Sequence, residues 1–241
     1  MAHKAVIVIP TYNEAENIEP LVEQILKYDG AGVMIVDDAS PDGTGEIADR
    51  IAAADDRVTV LHGGKKSGLG KAYRRAFKKI LSDDPPEFIF EMDADFSHDP
   101  SRIPAFLVSA AYEQYDLVIG SRYLRPGSTP DWSTVRRAIS FTANFLARRL
   151  LDHRVTDYTS GFRCYRSAAL AKIDLDSVKS EGYAFQVEMA YRFLEAGSRV
   201  GEVPIVFPDR SRGRSKFSKG IIFEAAFLLL RLALRRFLKS I

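Results

Sequence analysis

Four short apolar runs, each closing on a cluster of polar side chains, constrain this chain more than any other feature. Ala5-Val6-Ile7-Val8-Ile9 ends at Pro10, and Val33–Val36 ends in Asp37-Asp38. Phe88–Met92 ends in Asp93-Ala94-Asp95, and Leu117–Ile119 ends in Gly120-Ser121-Arg122. Runs this continuous belong to strands buried on both faces, which is the habit of parallel sheets covered by helices. The intervening segments have helical spacing. A helix is expected from Glu14 to about Tyr28, with Asn13 as its cap and Glu16 at the capping-box position, and others over about 45–53, 69–81 and 103–112. Val58–Leu61 supplies a further strand. The fold class is α/β. In open sheets of this kind ligands bind beyond the carboxyl ends of the strands, so the four clusters are expected to converge on one cleft.

The second half changes character. Helices are expected over Ser133–Leu151 and Tyr183–Glu195, a polar segment over Thr156–Tyr165, and a strand over Val200–Phe207. Asp209–Ser218 carries Arg210, Arg212, Arg214 and Lys216 around Gly213 and reads as a mobile loop. Residues 1–217 are expected to form one catalytic domain, with 218–241 as an added helix. On that last segment Glu224, Arg231, Arg235 and Lys239 fall on a narrow stripe and the rest is broadly apolar. That pattern suits an interfacial membrane helix or one docked on a protein partner. Residues 201–241 hold nine Lys/Arg against three Asp/Glu, a net of +6, which leaves −4 for residues 1–200. No run approaches the ~20 apolar residues of a spanning helix, and the start has no secretory pattern. With one cysteine, Cys164, an intrachain disulfide framework is excluded.

Asp93 and Asp95 carry the sharpest chemical signal. Two carboxylates one residue apart at a strand end lie on the same side of the pleat and repel, unless a divalent cation sits between them. Hard oxygen ligands suit Mg²⁺ or Mn²⁺, which also takes substrate phosphate; the plainer alternative is a solvated pair capping the next helix. Asp37-Asp38 can accept from ribose hydroxyls or a base, or serve only the turn Asp38-Ala39-Ser40-Pro41-Asp42-Gly43. Gly63, Gly64, Gly68 and Gly70 before Lys71 fail the spacing of a phosphate-binding P-loop, and no Gly-x-Gly-x-x-Gly follows the first strand. Arg122, Arg136, Arg137, Arg163, Arg210 and Lys216 can neutralise phosphates. Of the histidines only His98 adjoins the acidic cluster. Cys164 reads as a packed small hydrophobe.

Taken together these elements resemble the family-2 inverting glycosyltransferases, and more narrowly the dolichyl/polyprenyl-phosphate mannose synthases. The resemblance is carried by Ile9–Glu14, Val36–Thr44, Gly68–Tyr73, Met92–His98, Gly120–Tyr123, Ser160–Arg163 and Arg210–Lys216. It implies a GT-A fold, a mostly parallel mixed sheet covered by helices, and GDP-mannose as donor. It implies Pro10, Tyr12, Glu14, Val36 and Asp38 around the guanosine, and Asp93, Ala94 and Asp95 around the diphosphate and its Mg²⁺ or Mn²⁺. Ser97 stands where some relatives carry a metal-contacting Gln, and is the third candidate metal residue. Arg122, Arg210 and Lys216 would contact donor or acceptor phosphates, with Asp95, Arg122 and Arg210 central to catalysis. The implied acceptor is a polyprenyl phosphate, and a peripheral position on the cytoplasmic membrane face follows, held by the last helix or a membrane-anchored protein partner; no nucleic acid is expected. Competing expectations are a polyprenyl-phosphate glucosyltransferase using UDP-glucose, a haloacid-dehalogenase phosphatase, and a non-enzymatic membrane scaffold.

Overall fold

The computed structural model describes residues 3–208 and 228–234. Seven strands form one sheet in the order β3-β2-β1-β4-β6-β5-β7. They are β1 (Ala5–Thr11), β2 (Ala31–Asp37), β3 (Val58–Val60), β4 (Phe88–Glu91), β5 (Leu117–Ser121), β6 (Arg163–Arg166) and β7 (Val200–Pro204). β1 pairs in parallel with β2 and β4, β2 with β3, and β5 with β7. β6 alone runs antiparallel, between β4 and β5. Two antiparallel steps restore direction, so β5 points the same way as β4. The ends of β1, β2, β4 and β5 therefore leave one edge of the sheet together.

Helices cover both faces: α1 (Ile18–Ile25), α2 (Thr44–Ala54), α3 (Leu69–Ser82), α4 (Ile103–Tyr112), α5 (Thr134–Leu150), α6 (Ser167–Leu170) and α7 (Gly182–Glu195). Helix α1 buries Ile18, Leu21, Val22 and Ile25, one stripe at helical period, against Ile7, Ile9 and Phe90. Helix α3 buries Ala72, Tyr73, Ala76, Phe77 and Ile80 on the opposite face, where they meet Val8, Ile89 and Phe185. Residues 228–234 are helical, and Leu228, Leu229 and Leu232 are buried in that second core. The rest of the expected C-terminal helix, and the loop with Arg210 and Lys216, lie outside the described residues.

Two expectations give way. Helix α1 starts at Ile18, and Asn13 is no cap: its φ is +63°, in the left-handed region. The backbone N–H groups around the expected cap, including that of Ala15 which the cap would have served, are taken by the next loop. Asn13 N donates to Ser40 Oγ (3.1 Å), Glu14 N to Thr44 Oγ1 (2.9 Å) and Ala15 N to Asp42 Oδ2 (3.2 Å). The second departure is β6, a strand not expected from the sequence, which begins inside the polar segment Thr156–Tyr165 and runs to Arg166. Its Arg163 lies opposite Glu91 in the ladder, and both side chains are fully buried.

Glu91 sits beneath the acidic strand end, with Oε1 accepting from the Tyr165 hydroxyl (2.8 Å). Burial pushes its carboxyl up to about 7, an effect that Arg163 and Tyr165 only partly oppose. A carboxyl raised on folding holds its proton in the native state, so it contributes stability at low pH that is lost as pH rises from 4.5 toward 7. Glu91→Gln removes that loss. In urea unfolding with chelator present, the stability of the variant relative to wild type should rise by about 3 kcal/mol across this interval. A flat difference would show that Glu91 folds ionised.

Candidate active site

The loops after β1 and β2 hold each other. Pro10 and Thr11 stand in register with Val36 and Asp37. The Thr11 hydroxyl donates to Asp37 Oδ1 (2.9 Å), and Ser40 donates to Asp37 through both its hydroxyl (2.5 Å) and its N–H (3.0 Å). Asp37 is thus used by the turn. Asp38, also buried, accepts from Ser67 N and Oγ (both 2.8 Å) and from Arg75 Nη1 (3.3 Å), tethering the glycine-rich loop to the second strand end. A Cβ at Gly63 would come within 2.6 Å of Asp38 Oδ1, so this approach requires glycine. Tyr12 is half-buried under the ammonium of Lys66, 4.0 Å from the ring centroid. Glu14 accepts from Asn17 Nδ2 (2.8 Å). The start of α3, Gly68-Leu69-Gly70-Lys71, is no free anion site. Glu181 fills it, accepting from Gly70 N (2.8 Å) and Lys71 N (3.3 Å).

The loop after β4 presents the paired carboxylates. Asp93 is half-buried, and Ala94 and Asp95 are buried. Ser97 donates to Asp95 Oδ1 through its hydroxyl (2.5 Å) and its N–H (3.1 Å). Its side chain therefore fixes the Asp95 carboxylate. The Asp93 N–H donates to His98 Nδ1 (2.9 Å), and the His98 ring stacks on Phe162 and meets the edge of Phe207. Phe96, between them, has a φ of +60°, as Ala39 has +57° after β2. Non-glycine residues in this region cost about 1–2 kcal/mol each, and these two lie on the loops after β4 and β2. Among the described residues no cluster of three His, Cys, Asp or Glu is arranged for a metal. A pair of carboxylates suits Mg²⁺ or Mn²⁺, which keeps waters and takes phosphate oxygens, and does not suit structural zinc.

Arg122 follows the end of β5, as the sequence places it, and its guanidinium is already paired within the protein. It is buried against Asp157, with Nε to Oδ2 and Nη2 to Oδ1, both at 2.7 Å, and Nη2 also reaches Thr159 Oγ1 (2.7 Å). Burial raises the Asp157 carboxyl, but the paired guanidinium outweighs it and holds the group below the usual carboxylate range. The Arg122 guanidinium also lies over Trp132, 5.2 Å from the ring centroid, with Arg136 over the same ring at 3.8 Å. Phe207 packs edge-on to both Trp132 and His98, which joins the β4 and β5 loops. Arg163 is turned inward, donating to the Ser160 and Tyr158 carbonyls (both 2.8 Å), and does not join the strand-end cluster. Arg137 is an exposed residue of α5 that donates to the Trp132 carbonyl.

Asp157, Asn144, Ser67 and Glu181 were not legible as site residues. Each works through a partner far away in sequence, and only Asp157 left a trace, as the acid of a polar run that ends in a buried strand. Removing Asp157 strands a buried guanidinium, so Asp157→Ala should cost about 3–5 kcal/mol in urea unfolding. A cost below 1 kcal/mol would show that water reaches Arg122.

Residues 6–174 match the model of glycosyl transferase family 2. The chain is 45% identical to an undecaprenyl-phosphate mannosyltransferase of Micrococcus luteus over 92% of its own length and 90% of that protein's. It is 43% identical to a polyprenol monophosphomannose synthase of Mycolicibacterium smegmatis, over 93% and 84% of the two chains. In fold it is similar to glucosyl-3-phosphoglycerate synthase from Mycobacterium tuberculosis, solved with Mn²⁺, UDP and glucosyl-3-phosphoglycerate (TM-score 0.68, 18% identity, 96% of this chain and 80% of that one). It is also similar to a mannosyltransferase of Pyrobaculum calidifontis solved with GDP-Man and Mn²⁺ (TM-score 0.58, 17% identity, 98% and 74%). A sheet whose strand ends gather paired carboxylates at one edge is common to the GT-A fold, and with the family match it makes this chain a glycosyltransferase of family 2.

Proposed function

We propose that the enzyme transfers mannose from GDP-mannose to a polyprenyl monophosphate, giving polyprenyl phosphate β-mannose. The observation that carries this reading is the gathering of the paired carboxylates, the interlocked β1 and β2 loops and the arginine-bearing β5 end at one sheet edge. It is supported by relatives at 43–45% identity that are named for mannose transfer to such lipids. In this reading Pro10, Tyr12, Glu14, Val36 and Asp38 line the guanosine. Asp93, Ala94 and Asp95 hold the diphosphate and a Mg²⁺ or Mn²⁺ ion, with Ser97 keeping Asp95 in position. When bound, the cation supplies positive charge to the leaving diphosphate. Arg122, Arg210 and Lys216 bring positive charge to the phosphates. Asp157 offsets that of Arg122, so its contribution is directional: Nε and Nη2 are committed, and Nη1 stands outside that set of bonds.

The chemistry needs no dedicated base, because the acceptor phosphate is already an anion. A phosphate oxygen bonds to the anomeric carbon as the bond to the β-phosphate oxygen of GDP breaks, and that electron pair leaves with GDP. Attack from the opposite face inverts α to β. The protein's task is to hold two anionic groups close enough to react and to stabilise the charge that builds on the leaving group.

Asp95→Ala tests the carboxylate pair. Transfer should fall at least about a hundredfold while the urea midpoint stays near wild type, since a loop carboxylate is removed rather than core. Full activity in that variant would remove the assignment. Competition of GDP against UDP for the wild-type protein with Mn²⁺ tests the donor. Stronger binding of UDP would turn the reading to a UDP-glucose-dependent glucosyltransferase.

A further inference from the structure

A carboxylate on β7 organises more than its own strand. Glu202 stands in register with Ile119 of β5, and its side chain is half-buried. Its Oε1 accepts from Thr156 N and Asp157 N (both 2.9 Å), and its Oε2 from Thr156 N (3.0 Å) and the Thr156 hydroxyl (2.7 Å). An ionised carboxylate only accepts, which fixes the direction of the bonds that follow. Thr156 gives its one hydroxyl proton to Glu202, so at the Ser121–Thr156 contact (2.7 Å) the donor is Ser121. The Ser121 oxygen in turn accepts from Tyr123 N and Leu124 N (both 3.3 Å). One charge thus orients a chain of hydrogen bonds running from the turn 121–124 to the segment 156–157.

Arg122 lies between these two pieces of backbone. It belongs to the turn, and its counter-ion Asp157 belongs to the segment. Its own N–H donates to Asp157 Oδ2 (3.0 Å), beside the two guanidinium bonds to the same carboxylate. We infer that Glu202 is a positioning residue that aims Arg122 Nη1 at a ligand phosphate. It acts by holding the turn that bears the arginine and the segment that bears its counter-ion to one strand. Burial pushes the Glu202 carboxyl up, and the Asp157 charge adds to this against the donors from Thr156 and Asp157. A second carboxylate this close to Asp157 therefore carries an electrostatic cost, and the fixed direction of the network is what it provides in return. The inference rests on the reading of Arg122 as a phosphate ligand. It is independent of the donor and the sugar, because binding is measured without transfer.

The test is isothermal titration of the full chain with two probes, GDP with Mn²⁺ and farnesyl phosphate. Arg122→Lys keeps a cation for Asp157 and should weaken at least one probe about tenfold. Glu202→Gln sets an amide N–H₂ among donors. It should weaken each probe that Arg122→Lys weakens by at least about fivefold, and leave any other within about twofold. In the double variant the losses should not multiply: Glu202→Gln should cost less than about twofold once Arg122 is lysine. Thr156→Val should match Glu202→Gln, and Thr156→Ser, which keeps the hydroxyl, should recover most of the loss. If Glu202→Gln does not fold, the Thr156 variants carry the same cycle. Losses that multiply would overturn the inference and leave Arg122 as a phosphate ligand. So would a Glu202→Gln protein with a lowered thermal midpoint and wild-type affinity for both probes. A wild type that binds neither probe, or an Arg122→Lys protein that binds both like wild type, would overturn the phosphate reading of Arg122 and this inference with it.

Discussion

A sheet buried on both faces leaves its polar chemistry only one place to go. β1, β2 and β4 pair in parallel and are covered on each side, so charged groups inside the ladder carry the full cost of lost hydration. They are tolerated where the strands end and the backbone turns toward solvent. The antiparallel insertion of β6 preserves this arrangement, because it returns β5 to the direction of β4 and adds a fourth strand end to the same edge. The strand-end loops are then bound to each other. Thr44 and Asp42 hold the β1 loop from the β2 side, and Phe207 packs between His98 of the β4 loop and Trp132 of the β5 loop.

Buried charged pairs illustrate the same cost. Glu91 and Arg163 face each other across β4 and β6 in a fully buried position, and the carboxyl yields by holding its proton. Asp157 and Arg122 take the other course. Their bidentate geometry, with Thr159 and Asn144 adding bonds to the same carboxylate, keeps both charges. The difference follows from the donors each acid meets. Asp157 accepts from the Arg122 backbone N–H and guanidinium, from Asn144 and from Thr159. Glu91 has no guanidinium bonded to it among the described residues and is held by the neutral side chains of Tyr165 and Gln186.

Much of this was legible in the sequence, for a physical reason. Continuous β-branched runs such as Ala5–Ile9 can only be buried strands, and the polar cluster after each marks where burial ends. The alternation of strand and helix by itself places the carboxylates Asp93 and Asp95 at a strand end. What was hidden depended on partners distant in the chain. β6 is four residues long with an arginine at each end, and its strand character comes from lying between β4 and β5. Asn13 has the right chemistry for a cap, but Ser40, Thr44 and Asp42 reached the backbone first. The partner of Arg122 was hidden as well, because Asp157 is 35 residues away in the chain.

In the proposed function, the sheet edge brings a GDP-linked mannose and a lipid phosphate together. Label transfer from GDP-[¹⁴C]mannose to a short polyprenyl phosphate, with Mg²⁺ or Mn²⁺ and then with EDTA, measures it most directly. Label that moves into the organic phase only while the cation is present is the predicted result. Label that stays in the aqueous phase under both conditions, with UDP-[¹⁴C]glucose giving lipid product in its place, would contradict the donor and sugar while leaving the fold as described.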